Sequence, residues 1–368
     1  MFSTNVKLNY SVFNKRLQST RNNETIPVSN GALPHTYSNL YLYNPLNNMG
    51  QNSSKDVEIN GTVSPGFESV KEMFISNFNS GREESAQLCV YVGDEKVIDL
   101  WASTTNSNYT ADTLTNVFSS TKSLTAIAMA TLYDKGILKY DSKIPEYWPE
   151  FAENGKDQVT VADLMRHQAG LAKLDVSLDV ADSHIENIKK NSIGKILEKQ
   201  KLTYPEWGRR EYHGITRGWI ANEIFRRVHT EGKTIGEFVN EDLHAKLGAD
   251  VFIGVDQKAK ENYAPVRDMN FSFVLGQSLI PSYFNSAVDV NVFEFVTFLN
   301  KLRKLMSKSG DLKPAFAPCN DISMEKNIGP FFNLDDVRIG QTPSANGNCS
   351  ARGFYSSPKF YKYKHLLI

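Results

Sequence analysis

The chain has 368 residues, 41 basic and 41 acidic side chains, and is 40% hydrophobic. Zero net charge argues against the broad basic footprint of a nucleic-acid-binding protein, and the composition is not that of a charge-rich disordered chain. No apolar run reaches the roughly 18–20 residues needed to span a membrane, and three cysteines, Cys89, Cys319 and Cys349, fit buried reduced thiols of an intracellular protein better than a disulfide framework or a metal cage.

Residues 1–60 stand apart: more than a third are Ser, Thr or Asn, and their apolar residues follow no sustained period. They read as a flexible N-terminal extension. Its first 22 residues hold Lys7, Lys15, Arg16 and Arg21 and no acid. That is the composition of a mitochondrial presequence, and equally of a neutral tail, so a cytoplasmic location and a mitochondrial one both stay open. Ser64-Pro65 reads as a helix start, with Val70, Met73, Phe74 and Phe78 at helical spacing before Ser80-Gly81. Ala86–Val92 and Lys96–Leu100 around Gly93-Asp94 predict a β-hairpin.

A helix is predicted from Ser119-Ser120 to Gly136, with Leu124, Ile127, Ala128 and Leu132 on one face. Another runs from Thr160, where Asp163 completes a shortened capping box, to Gly170. A third spans roughly Thr216 to Val228, with Ile220, Ile224 and Val228 aligned. Signals from 230 to 345 are mixed. Phe271–Leu275 reads as strand or buried helix, and Phe298–Met306 as helix with Lys301, Arg303 and Lys304 on a solvated face. The last 16 residues, 353–368, form an aromatic and basic tail without acid or clear period.

One constellation carries chemistry: Ser119-Ser120-Thr121-Lys122, a Ser-x-x-Lys. With Ser119 at the helix start, Lys122 lies about one turn along on the same face. A serine is a weak nucleophile at neutral pH and needs a base beside it. A lysine serves when burial or charge lowers its pKa, and the N–H groups of a helix start favour an oxyanion. Ser192…Lys195, Ser323…Lys326 and Ser356…Lys359 have the same spacing. The alternative for Ser119 and Lys122 is a helix cap and a solvated lysine. Tyr212, taken alone, reads as a loop aromatic over the core. His167 reads as a packed or surface histidine, and His184, His229 and His244 lack metal-ligand spacing. No cofactor or metal is implied.

Phe118 to Ala126 resembles the nucleophile segment of the serine β-lactamase-like family: class C β-lactamases, penicillin-binding proteins and esterases of the same fold. Pro65-Gly66-Phe67-Glu68 and the hairpin ending Val97-Ile98-Asp99-Leu100-Trp101 are similar to the start of the esterase-type branch. Val159 to Leu171 resembles the helix and turn after the nucleophile. Tyr212-His213-Gly214 with Thr216-Arg217-Gly218-Trp219 resembles the second catalytic motif, and Pro343 to Gly347 with Ala351-Arg352 a late segment that leads into another helix. Together these cover about 61–352. The resemblance implies an α+β fold (α/β in loose usage) of β-lactamase/transpeptidase type: an antiparallel sheet flanked by helices, plus a mostly helical subdomain from about 137 to 340.

The resemblance also implies catalytic residues Ser119, Lys122 and Tyr212. Ser119 would be the nucleophile, Tyr212 would take or relay its proton, and Lys122 would keep the phenol acidic. The substrate would be a small ester or amide, opened through an acyl-enzyme. Gly214 stands where many β-lactamases and penicillin-binding proteins carry Asn, which counts against β-lactam recognition. The third family motif, Lys-Thr-Gly or His-x-Gly on a late strand, is missing; Gly232-Lys233-Thr234 has the wrong order and place. The expectation is therefore an incomplete domain at 61–352 lacking its late strands, with a sheet of about two strands. Two readings follow: an esterase-like serine hydrolase, or a shortened, catalytically inactive relative with a binding or regulatory role. Oligomeric state is not legible.

Overall fold

The computed structural model describes residues 57–353 apart from 177, 205–208, 247, 256–258, 267–278, 280–295 and 298–334. Of the expected extension at 1–60, residues 1–56 lie outside the described residues, as do the segments 271–275 and 298–306, Cys319 and the tail from 354; residues 57–60 are described, with Val57 and Ile59 packed against apolar side chains and Asn60 opening a strand. No helix among the described residues is long and apolar enough to cross a membrane.

Strand β1 (Asn60–Val63) opens the described chain and is followed by helix α1 (Glu68–Asn79). The helix starts three residues later than Pro65, because Gly66 takes φ +92° and its N–H is held by the Glu68 carboxylate at 2.9 Å. Strands β2 (Ser85–Val92) and β3 (Glu95–Ser103) form the expected hairpin, with Leu88 opposite Leu100 and a register shift between Val90 and Tyr91. The sheet is not two-stranded. β1 pairs antiparallel with β3, Asn60 opposite Trp101 and Val63 opposite Ile98, giving the order β1-β3-β2. Gly61 makes this pairing tight: a Cβ there would sit 1.8 Å from the Asp99 carbonyl oxygen. Ile98, Leu100 and Ala102 alternate on β3 and join Phe74 and Phe78 of α1 in a small apolar core.

The larger body is helical. Strand β4 (Thr115–Asn116) leads through a 3-10 turn, Phe118–Ser120, into helix α2 (Thr121–Asp134). The predicted apolar face of α2 is buried, but so are Thr121, Thr125, Met129 and Thr131. Thr125 resolves the cost of burial by donating to the Pro343 carbonyl at 2.5 Å, and Thr131 by donating to Ala128 O at 2.6 Å. Helix α3 (Val161–Met165) has the expected cap: Asp163 N–H donates to Thr160 Oγ1 at 3.1 Å and Thr160 N–H to Asp163 Oδ2 at 3.1 Å. It ends well short of Gly170, because His167 turns to φ +64°.

Helices α4 (Ile185–Lys189), α5 (Ser192–Lys199) and α6 (Thr216–Val228) follow. Helix α7 (Ile235–Glu237) is capped by Thr234 and continues as a π-helical stretch, Phe238–Ala245. The Thr234 cap gives Gly232-Lys233-Thr234 a structural role, and the Lys233 ammonium meets Glu231, Glu241 and Asp242. Leu124, Leu132, Trp148, Phe151, Trp219, Ile224 and Phe225 are among the buried side chains of one continuous core, each contributing about 1.5–3 kcal/mol by burial.

A second small sheet closes the body. Strand β5 (Val251–Ile253), helix α8 (Asp335–Arg338) and strand β6 (Gly347–Cys349) are the last described elements. β6 lies between β4 and β5, antiparallel to both, with Cys349 opposite Thr115 and Val251. The late segment expected to lead into a helix therefore passes first through a strand, and residues 351–353 are a turn.

Candidate active site

The turn before α2 is strained. Phe118 holds φ +44°, rare for a residue with a Cβ. Its N–H is fixed by Asn116 Oδ1 at 2.8 Å, and its carbonyl accepts from the Thr121 hydroxyl. Ser119 thus sits one residue before the α-helix cap, in the 3-10 turn, with its side chain exposed. Sequence reasoning expected it to open the α-helix itself.

Lys122 is one turn along and 8% exposed. Its ammonium Nζ donates to Ser119 Oγ at 3.2 Å, to the Gly214 carbonyl at 2.6 Å and to the Ser344 carbonyl at 3.0 Å. Three donors meet three acceptors, so the group is fully satisfied in its charged form. The Tyr212 hydroxyl hydrogen bonds Ser119 Oγ at 2.6 Å, and Lys122 Nζ lies 4.8 Å from the centre of the Tyr212 ring. The structure brings Ser119, Lys122 and Tyr212 together. Lys122 is not the solvated lysine of the alternative reading.

The charges act in one direction. Burial pushes the Lys122 ammonium below its usual value, helped by Arg217 and opposed by Tyr212. Burial alone would raise the Tyr212 phenol. The hydrogen-bonding Lys122 and Ser119, with the charges of Lys122 and Arg217, outweigh burial and hold it below the ordinary tyrosine value.

Tyr212 is positioned by two histidines. His213 is fully buried; its Nε2 accepts from Leu171 N–H at 3.0 Å and its Nδ1 faces the Glu211 carbonyl at 2.6 Å. His213 N–H donates to His167 Nδ1 at 3.0 Å, and the His167 ring packs 5.0 Å from the Tyr212 ring. His167 is packed, as its plain reading had it. Burial first, then Arg217 and other cations, push its pKa down to about 4.

Residues 343–347 form the third wall, which the sequence marked only by resemblance. Ser344 Oγ accepts from Gly218 N–H at 2.7 Å, and Gly347 N–H donates to Thr121 Oγ1 at 2.6 Å. Both glycines permit the approach: a Cβ on Gly218 would lie 2.4 Å from Ser344 Oγ, and one on Gly347 2.5 Å from Thr121 Oγ1. Gly218 inside an otherwise helical pattern is the one signal that could have announced this contact. Asn346 Nδ2 ties the turn to the carbonyls of Val337, Arg338 and Gly340.

Among the described residues no group of His, Cys, Asp or Glu could hold a metal ion. Cys349 is buried, which pushes its thiol up to about 12, and Cys89 is half-buried with its thiol also raised by burial. A surface cavity of about 730 Å³ lies at the far end of α2, lined by Tyr133, Leu138 and Tyr140 among others, and does not include Ser119.

The sequence profile described as Beta-lactamase matches residues 70–311. Esterase/beta-lactamase LipL of Mycobacterium tuberculosis is 33% identical over 198 residues, 52% of this chain and 43% of LipL. The chain therefore spans less than half the length of that curated relative. Among solved structures, EstA from Arthrobacter nitroguajacolicus Rue61a superposes with a TM-score of 0.58 at 27% identity, covering 79% of this chain and 67% of EstA. A family VIII carboxylesterase gives 0.57 at 26%, with 80% and 68% covered. A penicillin-binding protein homologue from Caulobacter crescentus gives 0.55 at 27%, also with 80% and 68% covered.

Proposed function

The chain belongs to the β-lactamase family of serine hydrolases, and we propose that it is an esterase-like member that opens a small ester or amide through an acyl-enzyme on Ser119. The observation that carries this reading is the placement of Ser119 Oγ between the Tyr212 hydroxyl, 2.6 Å away, and Lys122 Nζ, 3.2 Å away. Tyr212, held acidic by Lys122, takes the Ser119 proton as Oγ attacks the substrate carbonyl carbon. The carbonyl electrons move onto oxygen, where the Ser119 N–H at the start of the helix donates to the oxyanion. Collapse expels the alcohol or amine, which takes the proton from Tyr212. Water then attacks the acyl group, Tyr212 accepts its proton, and the proton returns to Ser119.

Gly214 offers only its carbonyl to Lys122. With no side-chain amide at that position, an ester is favoured over a β-lactam. The likeness to a carboxylesterase supports the same choice. In this reading the hydrolase domain spans 61–352. These 368 residues hold no Lys-Thr-Gly or His-x-Gly; a site served by the Ser119 N–H alone would turn over roughly 10²–10³ more slowly than one with a second oxyanion donor. The missing motif also favours a second reading, a binding protein without turnover.

p-Nitrophenyl acetate and butyrate, with a chromogenic cephalosporin alongside, separate these readings. Slow ester hydrolysis, lost in Ser119→Ala, with little or no cephalosporin opening, is the expected result. No hydrolysis of any of the three by folded chain would favour the binding protein.

A further inference from the structure

Arg217 stands beside the site and takes no part in the steps above. It lies at the second position of α6, half-buried, and no carboxylate among the described residues pairs with it. Its Nη2 meets only the Met165 sulfur at 4.0 Å, and its Nε is buried with no hydrogen-bond partner among the described residues. Its Nη1 faces His167 Nε2 at 3.3 Å. His167 Nδ1 already accepts from His213 N–H. The proton of a neutral His167 ring therefore sits on Nε2, where it faces another donor instead of offering Arg217 an acceptor. A guanidinium does not discharge in a protein, so a cation stands here without a counter-ion.

The His167 ring also packs against the Tyr212 ring, with centroids 5.0 Å apart. The charged and titratable groups facing that phenol are Lys122 with the Ser119 hydroxyl from the α2 side, His167 after α3, and Arg217 from α6; neighbouring His213 is turned to Leu171 and the Glu211 carbonyl. Glu211, the residue before Tyr212, has one carboxylate oxygen 4.0 Å from Lys173 Nζ and no hydrogen bond to the phenol. Two cations and no carboxylate surround one hydroxyl.

We propose that Arg217 is a positioning residue of this site: its unpaired charge, acting across the neutral His167 ring, is a second cation beside Lys122 that favours Tyr212 as the phenolate base. This rests on the hydrolase reading above for its purpose, but not for its measurement. The mutual influence of Arg217 and Tyr212 on each other's protonation agrees with it. Arg217 also disfavours charge on Lys122 and His167, so it biases the whole site against protons. In the sequence Arg217 is marked only as part of Thr216-Arg217-Gly218-Trp219, the segment that resembles the second catalytic motif, with no role of its own.

The test is a pH titration of the full chain carrying ring-¹³C tyrosine, read by NMR, with Tyr212→Phe identifying the Tyr212 signal. Arg217→Gln should raise the Tyr212 midpoint by about one pH unit, and Arg217→Lys should restore most of that shift. The acid limb of kcat/KM for p-nitrophenyl butyrate should move with the midpoint, which a merely structural role would not produce. An unchanged midpoint in folded Arg217→Gln overturns the proposal. Arg217→Met is a second neutral variant, suited to the contact with Met165. A chain that hydrolyses no ester but whose Tyr212 midpoint still follows Arg217 contradicts the hydrolase reading alone.

Discussion

The hairpin layer and the helical body are fastened differently. The layer, β1 to β3 with α1, has a core of six buried apolar residues, Phe74, Phe78, Val97, Ile98, Leu100 and Ala102. Its opposite face is held by ions. The Asp99 carboxylate, 6% exposed, takes Lys96 Nζ at 2.5 Å and Arg352 Nη2 at 2.8 Å, and Arg352 also reaches Asp112 at 3.2 Å. Gln87 adds a polar link, accepting from Ala351 N–H at 2.7 Å and donating to the Thr110 and Thr113 carbonyls. The body has a much larger dry core, and every group that touches Ser119 Oγ belongs to it. Chemistry and fold are inseparable in the body, whereas the layer can be loosened with the site left standing.

The sharpest way to break that contrast is Lys122→Met. It removes the amine from Ser119 and strips the Gly214 and Ser344 carbonyls of their donor. Ester hydrolysis should fall by about 10²–10⁴-fold, and urea unfolding should show a loss of about 1–3 kcal/mol from the unsatisfied carbonyls. Trp219→Ala, in the body core at 1% exposure, should cost about 3–5 kcal/mol and lower activity with it, because α6 carries Gly218 against Ser344. Phe74→Ala, in the layer at 8% exposure, should also lower stability, by about 3 kcal/mol or somewhat less, read by denaturant unfolding. It should leave kcat/KM at 25 °C within about twofold. A loss of activity equal to that of Trp219→Ala would erase the distinction.

The ionic face of the layer gives a smaller, pH-dependent effect. Burial raises the Asp99 carboxyl, but its hydrogen bonds to Arg352 and Lys96 and their charges outweigh burial and hold it below the ordinary carboxylate value. Because the folded value is the lower one, this stabilisation is present above the unfolded value near 3.9 and is lost as pH falls through the folded value. Arg352→Leu should cost about 1–3 kcal/mol at pH 7, and wild type and variant should converge as the solution is acidified below pH 4. Thr160→Ala, which removes the α3 cap, should cost only about 1 kcal/mol, read by the same denaturation.

Much of this was legible in the sequence, and the rest fails for identifiable reasons. The β2–β3 hairpin was visible because Gly93-Asp94 sits between alternating runs, and α6 because its apolar residues keep a helical period that Gly218 does not break. β1 was not: Asn60-Gly61-Thr62-Val63 has poor strand propensity, and its pairing depends on the close approach that Gly61 allows to Asp99. In the site, Ser119 and Lys122 are three residues apart and could be found by spacing. Tyr212 is 93 residues from Ser119 and became visible only through a family resemblance. Ser344 and Arg217 act through a backbone carbonyl and through the lack of a counter-ion, and neither property is written in residue type.

Ser119 is activated, on this reading, by its contacts with Tyr212 and Lys122. Intact mass of the full chain after incubation with a fluorophosphonate, which phosphonylates activated serines, tests it directly. One adduct on wild type, absent in Ser119→Ala and much slower to form in Tyr212→Phe, is the result expected. A folded chain that gains no adduct, or gains one that persists in Ser119→Ala, would contradict it.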